Sequence, residues 1–115
     1  MSDSPERWHR DAGAADIATL TIPASAQRRR VFEIDVHFVV RTAAEAAGPW
    51  HELTVELDGK RQWQRRIATS NLGSTDTLDY RCRADLGVGQ ALRVRAISKL
   101  GAAARVRLHI TAEEQ

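Results

Sequence analysis

The sequence predicts an all-β chain, a single antiparallel β-sandwich of about seven strands with immunoglobulin-like or jelly-roll connectivity. Three observations predict it. Apolar residues recur at every second position in one segment after another, the period of a strand with one face in a core. These segments are short and end at Gly, Pro, Asn or Asp, the residues that turn a chain. The chain has 115 residues, 43% of them hydrophobic, enough for one core and too few for two.

The first 15 residues are polar and charged, with Asp3, Glu6, Arg7, Arg10 and Asp11, and read as a loose N-terminal tail. Residues 16–112 form the sandwich and 113–115 a C-terminal tail. Ile17 to Ile22 is the first predicted strand, ended by Pro23. Phe32, Ile34, Val36, Phe38 and Val40 are apolar between Glu33, Asp35, His37 and Arg41, a long strand with a buried face. Thr42 to Pro49 is a loop with room for one helical turn. His51 to Leu57 alternates with Leu53, Val55 and Leu57 inward, and Asp58-Gly59 supplies the positive φ of a tight hairpin. Lys60 to Ile67 returns as a polar strand, suited to a sheet edge guarded by charge against open-ended pairing, and it is the edge through which a homo-oligomer would form if there is one. Thr69 to Thr75 is a loop. Leu78, Tyr80 and Cys82 mark the next strand, Gly87-Val88-Gly89 a turn, and Leu92, Val94 and Ala96 another strand. After a turn at Leu100-Gly101, Ala104, Val106, Leu108 and Ile110 form the inward side of the last.

Composition narrows the function. Seventeen Lys+Arg against 15 Asp+Glu leave a charge of +2, with both signs spread through the same segments, which disfavours a nucleic-acid binder. No apolar run approaches the ~20 residues of a membrane helix, and the polar start lacks the apolar region of a secretory signal, so the expected location is the cytoplasm. One cysteine, Cys82, allows no internal disulfide, and its place on an apolar strand face reads as a buried thiol.

Catalytic motifs are missing: the chain has no G-x-S-x-G elbow, and Gly87-Val88-Gly89 lacks the Lys-Ser/Thr of a phosphate loop. His9, His37, His51 and His109 have no ligand spacing, so no metal or other cofactor is expected. Asp76, Asp79 and Asp85 would suit calcium if they gathered, but loop carboxylates more often cap turns. The expectation is a protein that is not an enzyme.

Binding is the remaining class. Arg81, Arg83, Arg93, Arg95, Arg105 and Arg107 face outward on the last three strands and would form an anion-binding surface if those strands were neighbours. The competing arrangement pairs them with Glu33, Asp35, Glu52 and Glu56 across strands. Trp50 and Trp63 are candidate ligand platforms, since exposed rings stack on sugars or anchor partners, although Trp50 at a loop-strand junction also suits the core. A two-residue Asp58-Gly59 turn pairs Leu57 with Lys60, Glu56 with Arg61, Thr54 with Trp63 and Glu52 with Arg65. Trp63 then faces outward between Arg61 and Arg65, the leading binding site. A one-residue slip would instead set Trp63 against Val55.

At pattern level the chain resembles bacterial sugar-binding sandwich modules, and Leu20-Thr21-Ile22-Pro23-Ala24-Ser25 resembles the opening of small calcium-dependent bacterial lectins. The acidic C-terminal calcium stretch of those lectins is absent, since this chain ends Thr111-Ala112-Glu113-Glu114-Gln115, so no ligand residues carry over. The resemblance implies a glycan-binding module. A protein-interaction or self-assembly domain is the alternative, and anion or nucleic-acid binding through the outward arginines the third. The first needs an exposed Trp, the second a free strand edge or an apolar patch.

Overall fold

The computed structural model describes residues 4–115. Eight strands form two four-stranded antiparallel sheets packed face to face. They are β1 (Arg7–Asp11), β2 (Ile17–Ile22), β3 (Arg30–Arg41), β4 (Trp50–Leu57), β5 (Lys60–Ala68), β6 (Thr75–Leu86), β7 (Leu92–Gly101) and β8 (Ala104–Glu114). One sheet runs β1-β8-β3-β6 and the other β2-β7-β4-β5. Strand β4 pairs with β5, β3 with β6, β2 with β7 and β1 with β8, so the chain is one long double-stranded ribbon rolled into two sheets. Of the two expected connectivities, this is the jelly roll.

All seven expected strands are present, and the eighth corrects the expected tail. Residues 7–11 pair with β8 from Arg7 opposite Glu113 to Asp11 opposite His109. A local reading misses this strand because its inner face carries only Trp8 and the exposed Arg10; the partner holds it in place. Nor is 113–115 a tail, since β8 runs to Glu114 and the Gln115 N–H donates to the Val31 carbonyl.

Glu6 ties the two chain ends to the body. It accepts hydrogen bonds from Arg30 at 2.8 Å, Arg28 at 3.1 Å and the Trp8 indole at 3.1 Å, while its own N–H donates to Glu114. Arg28 binds both oxygens of Glu114, at 2.8 and 2.7 Å. The Arg30 side chain is 1% exposed and also donates to the Pro23 carbonyl.

The core follows the alternation. Phe32, Ile34, Val36, Phe38 and Val40 are fully buried, beside Leu108 and Ile110 of the same sheet and beneath Leu53, Val55, Val94 and Ala96 of the other. Two register shifts break the pattern. Between Val39 and Val40 the partner on β8 jumps from Arg107 to Arg105. Val106 is thereby left outside at 42% exposure, against the expectation that it faces inward. Arg105 takes the inner side, donating to the Ser98 hydroxyl at 2.6 Å with its guanidinium 5.9 Å from the Phe38 ring centroid.

The second shift is on β5. The Asp58-Gly59 turn is the two-residue type, with φ of 50° and 82°, and Leu57 opposes Lys60 and Glu56 opposes Arg61 as expected. Val55 then opposes Trp63, leaving Gln62 as the extra residue of a β-bulge.

Candidate functional site

The bulge at Gln62 overturns the expected binding platform. Trp63 points between the sheets and stacks on Tyr80 of the facing sheet, ring centroids 4.7 Å apart and planes 16° from parallel. Burying a large ring over the open side of the sandwich outweighs regular strand geometry. Arg61 stays on the outer side, bonded to Gln64 at 2.7 Å, whereas Arg65 opposes Leu53 on the inner side and remains exposed at the rim. A long side chain on an edge strand can reach water from there. Glu52 meets Arg66, at 3.1 Å, instead of Arg65.

Trp50 lies on the outer face of β4, covered on both sides. The Arg66 guanidinium sits 3.9 Å from its ring centroid. Beneath it is Gly101, where an added Cβ would lie 2.1 Å from the indole Nε1. The four expected site residues, Trp63, Arg61, Arg65 and Trp50, therefore do not converge.

Nor do the six arginines form one surface. Arg81, Arg83, Arg105 and Arg107 belong to the sheet containing β3, while Arg93 and Arg95 lie on β7 in the opposite sheet. Arg81 pairs with Glu33 at 3.1 Å and with Asp35 at 2.7 Å, and Arg107 with Asp11 at 3.0 Å. The expected cross-strand pairing holds for Glu33, Asp35 and Glu52, and Glu56 lies in register with Arg61 and Arg95. The three aspartates do not gather. Asp76 accepts from the Ser70 N–H and hydroxyl, Asp79 meets His37 and Asp85 meets Arg29. Burial pushes the Asp76 carboxyl up, but the Ser70 and Thr77 donors outweigh it and hold it below the usual range. Cys82 is half-buried, and burial pushes its thiol up, away from a reactive thiolate.

What the structure does bring together was hidden in the sequence. On the outer face of β1-β8-β3-β6, the registers set Asp11, His109, His37 and Asp79 in one row across four strands, with His9, Thr111, Asp35 and Arg81 in the next. His37 Nδ1 meets the Asp79 carboxylate, and the His9 and His109 rings meet edge to face at 6.2 Å. Burial, then the Arg107 charge, lowers the His109 pKa, while the Gly13 N–H and Arg107 hold the Asp11 carboxyl low. Two hollows of about 470 and 430 Å³ open here and share Thr111, whose short side chain lies among long ones. Among the described residues no group of three His, Cys, Asp or Glu side chains is arranged to hold a metal ion.

A second feature is the edge strand β2, Ile-Ala-Thr-Leu-Thr-Ile, which pairs with β7 on one side and, among the described residues, has no strand on the other. The Ser98 N–H donates to the Asp16 carbonyl at 2.8 Å, so even-numbered residues of β2 bond toward β7. By alternation the N–H and C=O groups of Ile17, Thr19 and Thr21 point away from the sheet. The other edges carry the usual guards against open-ended pairing. Strand β1 has Arg7, Arg10 and Asp11; β5 has Lys60, Arg61, Arg65, Arg66 and its bulge; β6 has Asp76, Asp79, Arg81, Arg83 and Asp85. Strand β2 has neither charge nor bulge.

No family model and no curated protein sequence matches the chain. Solved structures share its fold. It is similar to part of dimeric latent PorU from Porphyromonas gingivalis, with a TM-score of 0.60 and 13% identity over 96% of this chain and 12% of that one. It is also similar to part of the mosquito-larvicidal Cry4Aa toxin from Bacillus thuringiensis, with a TM-score of 0.53 and 10% identity over 90% of this chain and 18% of the toxin. The chain thus spans under a fifth of either protein. At such identity the likeness is one of fold alone. Among the described residues no helix is long and apolar enough to cross a membrane.

Proposed function

We propose that the chain is a non-catalytic interaction module that takes up a further polypeptide strand along β2. The observation that carries this reading is the contrast among the four edges: three are guarded, and the fourth presents outward N–H and C=O groups along six uncharged residues. Adding a strand to such an edge gives affinity through main-chain hydrogen bonds and specificity through alternate side chains. The reading is tested by titrating a library of uncharged extended peptides against the labelled chain and mapping shifts by NMR. Binders that perturb Ile17, Thr19 and Thr21, and are lost in Thr21→Pro, support it; binders that map elsewhere, or no binders at all, overturn it.

The two hollows over Thr111 favour a second reading, a glycan or other polar ligand held by Asp35, His37, Arg81 and His9. Carboxylates, imidazoles and a guanidinium offer the mixed donors and acceptors that hydroxyl groups need. Stacking on Trp50 or Trp63 is not part of it, because both rings are covered. Saturable binding on a glycan array, abolished by Thr111→Trp, would support this reading; binding that survives that substitution would exclude the hollows.

A further inference from the structure

We infer that the strand taken up along β2 is the β2 of a second copy of this chain, joined antiparallel about a two-fold axis so that two four-stranded sheets become one of eight strands. The inference rests on the strand-addition reading above and names its partner.

Self-complementarity carries it. In an antiparallel pair directly opposed residues point to the same side, so inward residues must meet inward ones. Ala18, Leu20 and Ile22 are inward and buried, while Ile17, Thr19 and Thr21 are outward and exposed. Two central registers satisfy this condition. Centring the axis on Thr19 would bring the Asp16 carboxylate opposite buried Ile22. Centring it on Leu20 sets Leu20 against Leu20, Ala18 against Ile22, Thr19 against Thr21 and Ile17 against Pro23, with no charged residue in the pairing.

The Leu20-centred register also suits the backbone. The outward groups belong to odd-numbered residues, so Thr19 and Thr21 exchange both N–H···O bonds with their counterparts across the axis. Ile17 falls opposite Pro23, whose carbonyl is already held by Arg30 and which has no N–H to leave stranded. The same operation on β5 would bring one lysine and three arginines of each copy together, and on β1, centred on His9, it would set Trp8 against Arg10. Side-chain pairing adds Thr opposite Thr on the outer face and Leu opposite Leu on the inner one, both favourable cross-strand neighbours. Ile17, 37% exposed, gains a neighbour at the end of the joint.

The test is sedimentation equilibrium of the chain from micromolar to millimolar concentration, with reductant present so that Cys82 cannot cross-link. A dimer is expected. Thr19→Lys with Thr21→Lys, and separately Thr19→Glu with Thr21→Glu, place like charges face to face on an exposed surface that the fold does not need. Each double variant should keep the wild-type circular dichroism and weaken the dimer at least about 100-fold. Mixing the two should restore association as a heterodimer. A folded wild-type chain that stays monomeric at millimolar concentration overturns the inference. So does a dimer indifferent to both double variants, or double variants that fail to associate when mixed. If the chain is monomeric yet uncharged peptides still bind at β2, only the choice of partner fails; if neither a copy nor a peptide binds there, the strand-addition reading falls too.

Discussion

Arg30 is a full charge held out of water, and its position depends on what neutralises it. Its side chain is 1% exposed, its Nε has no partner, and its terminal nitrogens rest on Glu6 and the Pro23 carbonyl. Removing one member of a buried ion pair costs about 3–5 kcal/mol, because the other charge is left desolvated. Glu6→Ala should therefore destabilise by about 3 kcal/mol in urea melts. The double variant with Arg30→Met should recover part of that loss, because no unpaired charge then remains. Burial pushes the Glu6 carboxyl up, but the hydrogen bonds from Trp8, Arg30 and Arg28 and the Arg30 charge outweigh it and hold it below the usual range. Its contribution is thus present at neutral pH and is lost as pH falls through the lowered value.

His51 adds a second acid sensitivity. It is fully buried, bonded through Nδ1 to the Thr69 hydroxyl at 2.7 Å, with Nε2 unpartnered and its ring edge to face with Phe38. Burial lowers its pKa, and the Asp76 charge and the Thr77 backbone do not reverse that. The unfolded chain then binds a proton that the folded one resists, so stability holds above the ordinary histidine value of about 6.5 and falls below it. Urea melts at pH 7.5 and pH 5 should show this loss, and His51→Leu should flatten the slope between them. An unchanged slope would assign the loss to His109, whose pKa is also lowered by burial.

At the scale of the element, two bulges decide which faces matter. The sequence pattern of β5 is that of an edge strand, and an edge strand it is. Its first two cross-strand pairs are also legible from the Asp-Gly turn. The bulge at Gln62 is not, because a one-residue slip leaves the local pattern unchanged while reversing every later side chain. What selects it is Tyr80, a ring in the other sheet for Trp63 to stack on. Trp63→Ala should cost about 3 kcal/mol, since it removes a large ring that spans the two edges β5 and β6. Thermal melts would measure it; a loss within about 0.5 kcal/mol, the range of neutral surface changes, would contradict the packed ring. The pairing of Trp50 with Gly101 offers a further test at this scale. Gly101→Ala would place a methyl group on the indole, so Trp50 must shift, and a destabilisation of about 1–3 kcal/mol with altered tryptophan emission is expected.

At the scale of the molecule, the rolled ribbon makes the ends of the chain partners of one another. Strand β1 covers β8, and Glu6 joins Glu114 to Arg28 and Arg30. Deleting residues 1–11 should therefore do more than trim a surface segment. It bares the β8 edge and leaves the Arg30 charge without its carboxylate. The expected result is a lower melting temperature with aggregation visible by light scattering, whereas a truncated chain that melts like the full one would show that β1 contributes nothing.

The all-β class, seven of the eight strands, the Asp58-Gly59 turn and the buried series Phe32 to Val40 were legible because each depends on side chains adjacent in sequence. Period-two burial and positive φ are properties of a few neighbouring residues. The jelly-roll connectivity, strand β1, the two bulges, the row Asp11-His109-His37-Asp79 and the unguarded state of β2 were not legible. Each depends on which distant strand lies alongside, and Ile-Ala-Thr-Leu-Thr-Ile reads the same at an edge as in the centre of a sheet. Only the folded chain, in which β7 takes one side of that strand and no described strand takes the other, turns an ordinary apolar segment into the surface on which the proposed function rests.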